Sequence, residues 1–385
     1  MSNSQTDMAQ LGDGVLLWGL DGTNPLGFLA ALGTLQTLSQ ADSTKAVTLA
    51  WQNQDCCWVP VLHDIAGGKG SIAAAIAKYL NCPFRPNQQK DYEREVTEKT
   101  FQAKRNQLKK ETEALKRQGL RGNQRKEADE KKLGPIRTEL NSLRLQWLAA
   151  LREAVPSPEL SLGEHLNASC EKLRVDMIAC LENATLENRA AIDLFAGFGS
   201  DSCNQPNSNR MQATPFCFIT GSGHQNFLDT VRQLMEQVDA QRIEQALFSR
   251  TKPSDERLSM RWDPQEDRRY AGMWSDPTAS GNKATTNWAI NLLAYRGLQL
   301  CTSVPTFRSL QTTGWLFDPE PGWRWPIWQE GLTLDVVRSI LSHPLLMNSQ
   351  PSRELVSAIG VIALYQASRV QVGKYINFTP AYQIA

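Results

Sequence analysis

A chain of 385 residues with 41% hydrophobic content and eleven tryptophans can bury a large core, and its length suggests two or three domains. No apolar run reaches membrane-spanning length, Met1 to Gln10 does not read as a signal peptide, and the eight cysteines contain no C-x-x-C pair. The expectation is a soluble cytoplasmic protein with buried free thiols, no cofactor, and neither a zinc ribbon nor a redox motif.

The formal charge of +1 conceals a division. Residues 85–152 carry 18 Lys and Arg against 10 Asp and Glu, a net of +8, which leaves −7 on the remainder. A basic block on a mildly acidic body suggests an arm for an anionic partner.

In chain order, a short strand over 15–19 leads into the turn Asp21-Gly22-Thr23-Asn24-Pro25 and then a helix. Asn24 is a good N-cap and Pro25 suits the first helical position, while Phe28, Leu29, Leu32, Leu35 and Leu38 supply the apolar stripe. Gly27, Ala30, Ala31 and Gly33 permit close packing. Residues 46–51 and 57–62 read as a strand pair with its turn at 52–55. Gly67-Gly68-Lys69-Gly70-Ser71 then opens a helix over 72–80, but it lacks the spacing of a phosphate-binding loop.

The basic block follows as two helical stretches, 88–118 and 128–154, with Gly119, Gly122 and Asn123 between them. Phe101, Leu108 and Leu115 are seven apart, and Ile136, Leu140, Leu143, Trp147 and Leu151 continue the pattern, so two antiparallel helices pack along those rows. Gly134-Pro135 is expected to interrupt the second. Lys104, Arg105, Lys109, Lys110, Lys116, Arg117, Arg121, Arg125 and Lys126 gather near the tip and favour nucleic acid over a merely solvated face.

Beyond the block, 160–181 reads as helix, 191–195 as strand and 215–220 as strand. The turn Gly221-Ser222-Gly223 precedes a helix over 226–238, a geometry that offers amides to a phosphate. Val304, Phe307, Leu310 and 315–317 look strand-rich. Trp323, Trp325 and Trp328 form an aromatic loop that either stacks bases or covers the core. Helices at 333–341 and 352–369 precede the tail.

The most unusual stretch is Arg261-Trp262-Asp263-Pro264-Gln265-Glu266-Asp267-Arg268-Arg269-Tyr270, which fits neither helical nor strand periodicity. It belongs to a central loop over 257–285 that also holds Lys283. Arg261, Arg268, Arg269 and Lys283 are the candidate phosphate or base contacts there. No catalytic residue is assigned, since the four histidines are isolated and no nucleophile elbow appears. The alternative is a metal-dependent nuclease using Asp263, Glu266 and Asp267; a protein-docking scaffold is a third reading.

Leu20-Asp21-Gly22-Thr23-Asn24-Pro25-Leu26-Gly27-Phe28-Leu29-Ala30-Ala31-Leu32-Gly33, followed far downstream by Arg261-Trp262-Asp263-Pro264 and Asp267-Arg268-Arg269-Tyr270-Ala271, resembles accessory and large-subunit proteins of the subtype I-G (formerly I-U) CRISPR-Cas systems. The resemblance implies a non-catalytic subunit of an RNA-guided antiviral effector complex. Its expected partners are guide RNA and/or target DNA, other effector subunits and the helicase-nuclease, with no membrane.

The expected fold is α+β, with mixed helices and short sheets and an inserted antiparallel helical hairpin. Its parts are 11–84, the N-terminal part of the body; 85–155, the basic hairpin; and 156–385, the main body.

Overall fold

The computed structural model describes residues 14–42, 46–81, 88–185, 189–202, 208–221, 225–266, 285–306, 309–318, 320–373 and 375–385. Helices and short antiparallel sheets alternate along the chain, an α+β fold. Two compact units form: Cys82–Ser157, and a body made of Met1–Asn81 with Pro158–Ala385.

The body is built around the helix Pro25–Ala41, every residue of which is buried from Pro25 to Leu38. Asn24 caps it through Oδ1, which accepts from the Leu26 amide at 2.9 Å. Four antiparallel strands in the order Val15–Leu16, Cys57–His63, Thr48–Gln54, Leu332–Thr333 form one sheet. The Thr48–Gln54 and Cys57–His63 strands are joined by Asp55 and Cys56, both at positive φ (53° and 66°), the mirror-image turn that matches strand twist. A second sheet orders Tyr375–Phe378, Val361–Val372, Gly322–Trp328 and Trp315–Leu316, with Tyr382–Gln383 also on the long Val361–Val372 strand.

Phe28 on the central helix touches both sheets. It stacks on Trp51 of the first at 5.3 Å and meets the edges of Trp323 and Trp328 of the second at 5.6 and 6.1 Å. Two indole N–H groups in this cluster are satisfied by backbone, Trp325 donating to Gly22 O at 2.8 Å and Trp328 to Leu49 O at 2.7 Å, whereas Trp51 Nε1 is buried without a partner among the described residues. The tryptophans at 323, 325 and 328 therefore lie in a buried strand and serve the core.

The helix Trp288–Gly297 crosses the central helix backbone against backbone. A Cβ on Gly33 would lie 1.7 Å from Leu293 O, and one on Gly297 would lie 2.3 Å from Leu29 O. No other residue fits at either position, which is why small residues recur there.

Several expected elements differ. Residues 352–369 form the short helix Arg353–Ser357, stopped at Gly360 (φ 80°), and then the strand Val361–Val372. A strand packed on both faces reads as an apolar run with no clear period. Ala190–Phe198 is a helix, and 215–220 contains no strand. Residues 160–181 divide into a 3-10 turn, Pro158–Leu162, and the helix Cys170–Glu182.

In the other unit, the helices Gln88–Arg117 and Gly122–Ala154 pair antiparallel, and Phe101 stacks on Trp147 at 5.3 Å. Leu115, Leu133 and Leu148 are buried. Pro135 stays inside an unbroken helix. The carbonyl that loses its donor belongs to Lys131, an exposed residue.

Candidate nucleic-acid interface

The hairpin helices place nine cations on either side of one tight turn, with Gly119 at φ 65°. Residues 104–126 carry a net +7, whereas 88–103 carry −1 and 127–154 are neutral, so the charge is concentrated at the tip. Lys109, Lys110, Lys116, Arg117, Arg121, Arg125 and Lys126 are exposed, and none of them makes an ion pair among the described residues. Lys104 pairs with Glu139, and Arg105 donates to Gln102 Oε1 at 3.3 Å.

Lys116 and Arg117 at the end of the first helix complement its dipole. Arg121, Arg125 and Lys126 do the opposite. They sit at the start of the second helix, whose first turn contains no acidic residue, although a helix N-terminus already carries partial positive charge. Local stability would place acids there. The arrangement instead adds side-chain cations to a helix end that attracts anions.

The central loop uses its charges differently. Arg257, Leu258 and Arg261 adopt positive φ (68°, 50° and 65°), each costing about 1 kcal/mol for a residue with a Cβ. Contacts around residues 260–262 hold the Arg261 end of this stretch. The Met260 amide donates to Asn291 Oδ1 at 2.9 Å, and the buried Trp262 donates through Nε1 to Phe216 O at 2.9 Å. Arg261 lies over the Tyr375 ring at 4.6 Å and donates to Gln225 Oε1 at 3.1 Å.

Asp263 Oδ1 accepts from Asn24 Nδ2 at 2.9 Å, a contact spanning 239 residues. The Asn24 turn and the Asp263 segment thus meet in space. Glu266 accepts from Ser259 and Thr286 hydroxyls, and Thr286 Oγ1 in turn accepts from Asn291 Nδ2 at 2.8 Å. Burial raises the pKa of Asp263. Burial, together with the neighbouring Asp263 charge, pushes Glu266 up to about 7. Both carboxylates are engaged in fixing the loop. Among the described residues no three His, Cys, Asp or Glu side chains lie together as a metal site. Asp267, Arg268, Arg269 and Lys283 lie outside the described residues.

Gly221 (φ 94°) makes a tight turn in which its amide donates to Gln225 O at 2.9 Å, so that amide is engaged within the turn. Ser222 and Gly223 lie outside the described residues. Beside this turn is a feature the sequence did not reveal, a cavity of about 410 Å³ lined by His165, Trp315, Phe317 and Arg369 among others. Its walls come from separate stretches of the chain, and no spacing rule links them.

No described helix is long and apolar enough to cross a membrane. No protein-family model, curated protein or solved structure matches the chain.

Proposed function

We propose that this protein is a non-catalytic, cytoplasmic nucleic-acid-binding subunit of a type I CRISPR effector complex, whose hairpin tip holds the phosphate backbone of guide RNA or target DNA. One observation carries the reading. Seven exposed cations without ion pairs among the described residues surround a single turn, three of them at a helix start where local electrostatics disfavours them. Solvated cations of this kind exchange condensed counterions for protein contacts at little desolvation cost, the basis of sequence-independent backbone binding.

The part of the proposal that invokes neighbouring subunits, the helicase-nuclease among them, rests on a different surface. The helix Cys170–Glu182 exposes Val175, Ile178 and Leu181 at three-residue spacing, an apolar stripe suited to another protein.

The test is fluorescence anisotropy with single-stranded RNA and duplex DNA at about 0.1 M salt, comparing the native chain with a variant carrying Lys109→Glu, Lys110→Glu, Arg121→Glu and Arg125→Glu. Each phosphate contact contributes about 0.9 log unit per decade of salt, so losing four weakens binding by about 10³-fold or more. Unchanged affinity in a folded variant overturns the reading.

A further inference from the structure

The cavity beside the Gly221 turn has the composition of a ligand site and has no part in the hairpin's function. Its volume, about 410 Å³, falls within the range that holds small organic ligands. One part of the lining is aromatic and apolar: Trp315 and Phe317, with Leu310, Ile219, Pro215 and Pro321. Phe317 is 45% exposed, so a large hydrophobic ring stands at the lining with much of its surface uncovered.

The other part is polar. Arg369 lies on the strand Val361–Val372 with its guanidinium 5.9 Å from the Phe218 ring, and it makes no ion pair among the described residues. Elsewhere in the body, Arg232 and Arg338 have aspartate partners. Burial pulls the Arg369 pKa below the ordinary guanidinium value. The Cys217 thiol in the same lining is pushed up to about 12 by burial and is therefore neutral, so it supplies no counter-charge. His165 Nδ1 is buried without a hydrogen-bond partner. The side chains of Asn167, Gln212 and Thr220 are exposed and likewise make no hydrogen bond among the described residues, which leaves donors and acceptors of both kinds.

We propose that this cavity binds a single nucleotide, with the base against the uncovered Phe317 ring and the phosphate on Arg369. A flat ring with a mixed donor and acceptor edge, joined to an anion, matches the three kinds of wall together. A purely apolar ligand would leave Arg369 without a counter-charge, and inorganic phosphate would leave the aromatic wall unused. The nucleotide is either free or the phosphorylated end of a strand. The site stands independently of the hairpin reading.

Isothermal titration of the full chain with AMP, GMP, CMP and UMP, with the matching nucleosides, and with 5′-phosphorylated and unphosphorylated oligonucleotides decides it. At least one 5′-monophosphate or 5′-phosphorylated oligonucleotide is expected to bind about tenfold or more tightly than its unphosphorylated counterpart. Binding of the mononucleotide identifies a free ligand as sufficient, and binding of the phosphorylated oligonucleotide alone identifies a strand end. Arg369→Gln is expected to abolish the phosphate preference, and Phe317→Ala to weaken nucleotide and nucleoside alike, with far-UV circular dichroism unchanged. The four hairpin reversals leave this binding intact, so failure of one site is distinguishable from failure of the other. Absence of binding by every phosphorylated probe at millimolar concentration, or an unchanged phosphate preference in folded Arg369→Gln, overturns the proposal.

Discussion

The body and the hairpin use the same residue types in opposite ways. In the body, Arg324 is 7% exposed and reaches no carboxylate among the described residues. It donates to Leu346 O and Asn348 O at 2.8 Å and to Gln366 Oε1 at 2.9 and 3.2 Å, tying the 3-10 turn Pro344–Met347 and the residue after it to the sheet. Arg232 similarly joins Asp229 to the carbonyls of Leu160 and Gly163. At the hairpin tip the cations stay in water. Removing a desolvated arginine leaves buried acceptors without donors, whereas removing a solvated one exposes nothing. Counting cations in a sequence therefore does not reveal which of them a polyanion can reach; the partners do.

That contrast is open to attack at several points. The largest stability effect is expected from Arg324→Met, which strands two backbone carbonyls and should cost about 3–4 kcal/mol in urea unfolding while leaving nucleic-acid affinity unchanged. A loss below about 1 kcal/mol would remove the body half of the comparison.

Glu266 gives the next effect. Its carboxyl titrates at about 7 in the folded chain against the usual 4.5, so between those values the folded state keeps a proton that the unfolded state has released. Stability accordingly falls as pH rises from about 4.5 to 7, and Asp263 shifts in the same direction. Glu266→Gln should flatten this slope and raise stability at pH 8 by about 2–3 kcal/mol. A variant less stable than the native chain at pH 8 would show that Ser259 and Thr286 require the charged form.

Asn24→Ala removes both a helix cap and the bond to Asp263, with an expected cost of about 1–2 kcal/mol by thermal unfolding. Lys104→Ala breaks only a pair with the exposed Glu139, and its cost should stay below about 1 kcal/mol.

The legible parts of the sequence were those fixed locally. Asn24-Pro25 marks its helix start whatever lies around it, and the heptad-like rows of the basic block specify a hairpin without help from the body. Long-range environment decided the others. Val361–Val372 has apolar residues at mixed spacing because both faces of its first half are packed, the adjacent Ala363 and Leu364 both being buried. The tryptophans at 323, 325 and 328 looked like a loop because Pro321 and Pro326 punctuate them, yet Pro326 takes its place in the ladder opposite Leu364. For the site, the hairpin cations were readable from charge density alone. The fate of Arg261 was not, because Tyr375 and Gln225 come from distant stretches, and neither was the Arg369 cavity.

The most direct test of the hairpin assignment is the slope of log binding constant against log salt concentration, measured for the native chain and for the four-reversal variant on the same duplex. The account predicts a steep native slope, up to about −6 if all seven cations meet phosphates, and a variant slope shallower by about 4. Equal slopes for the two proteins would contradict it.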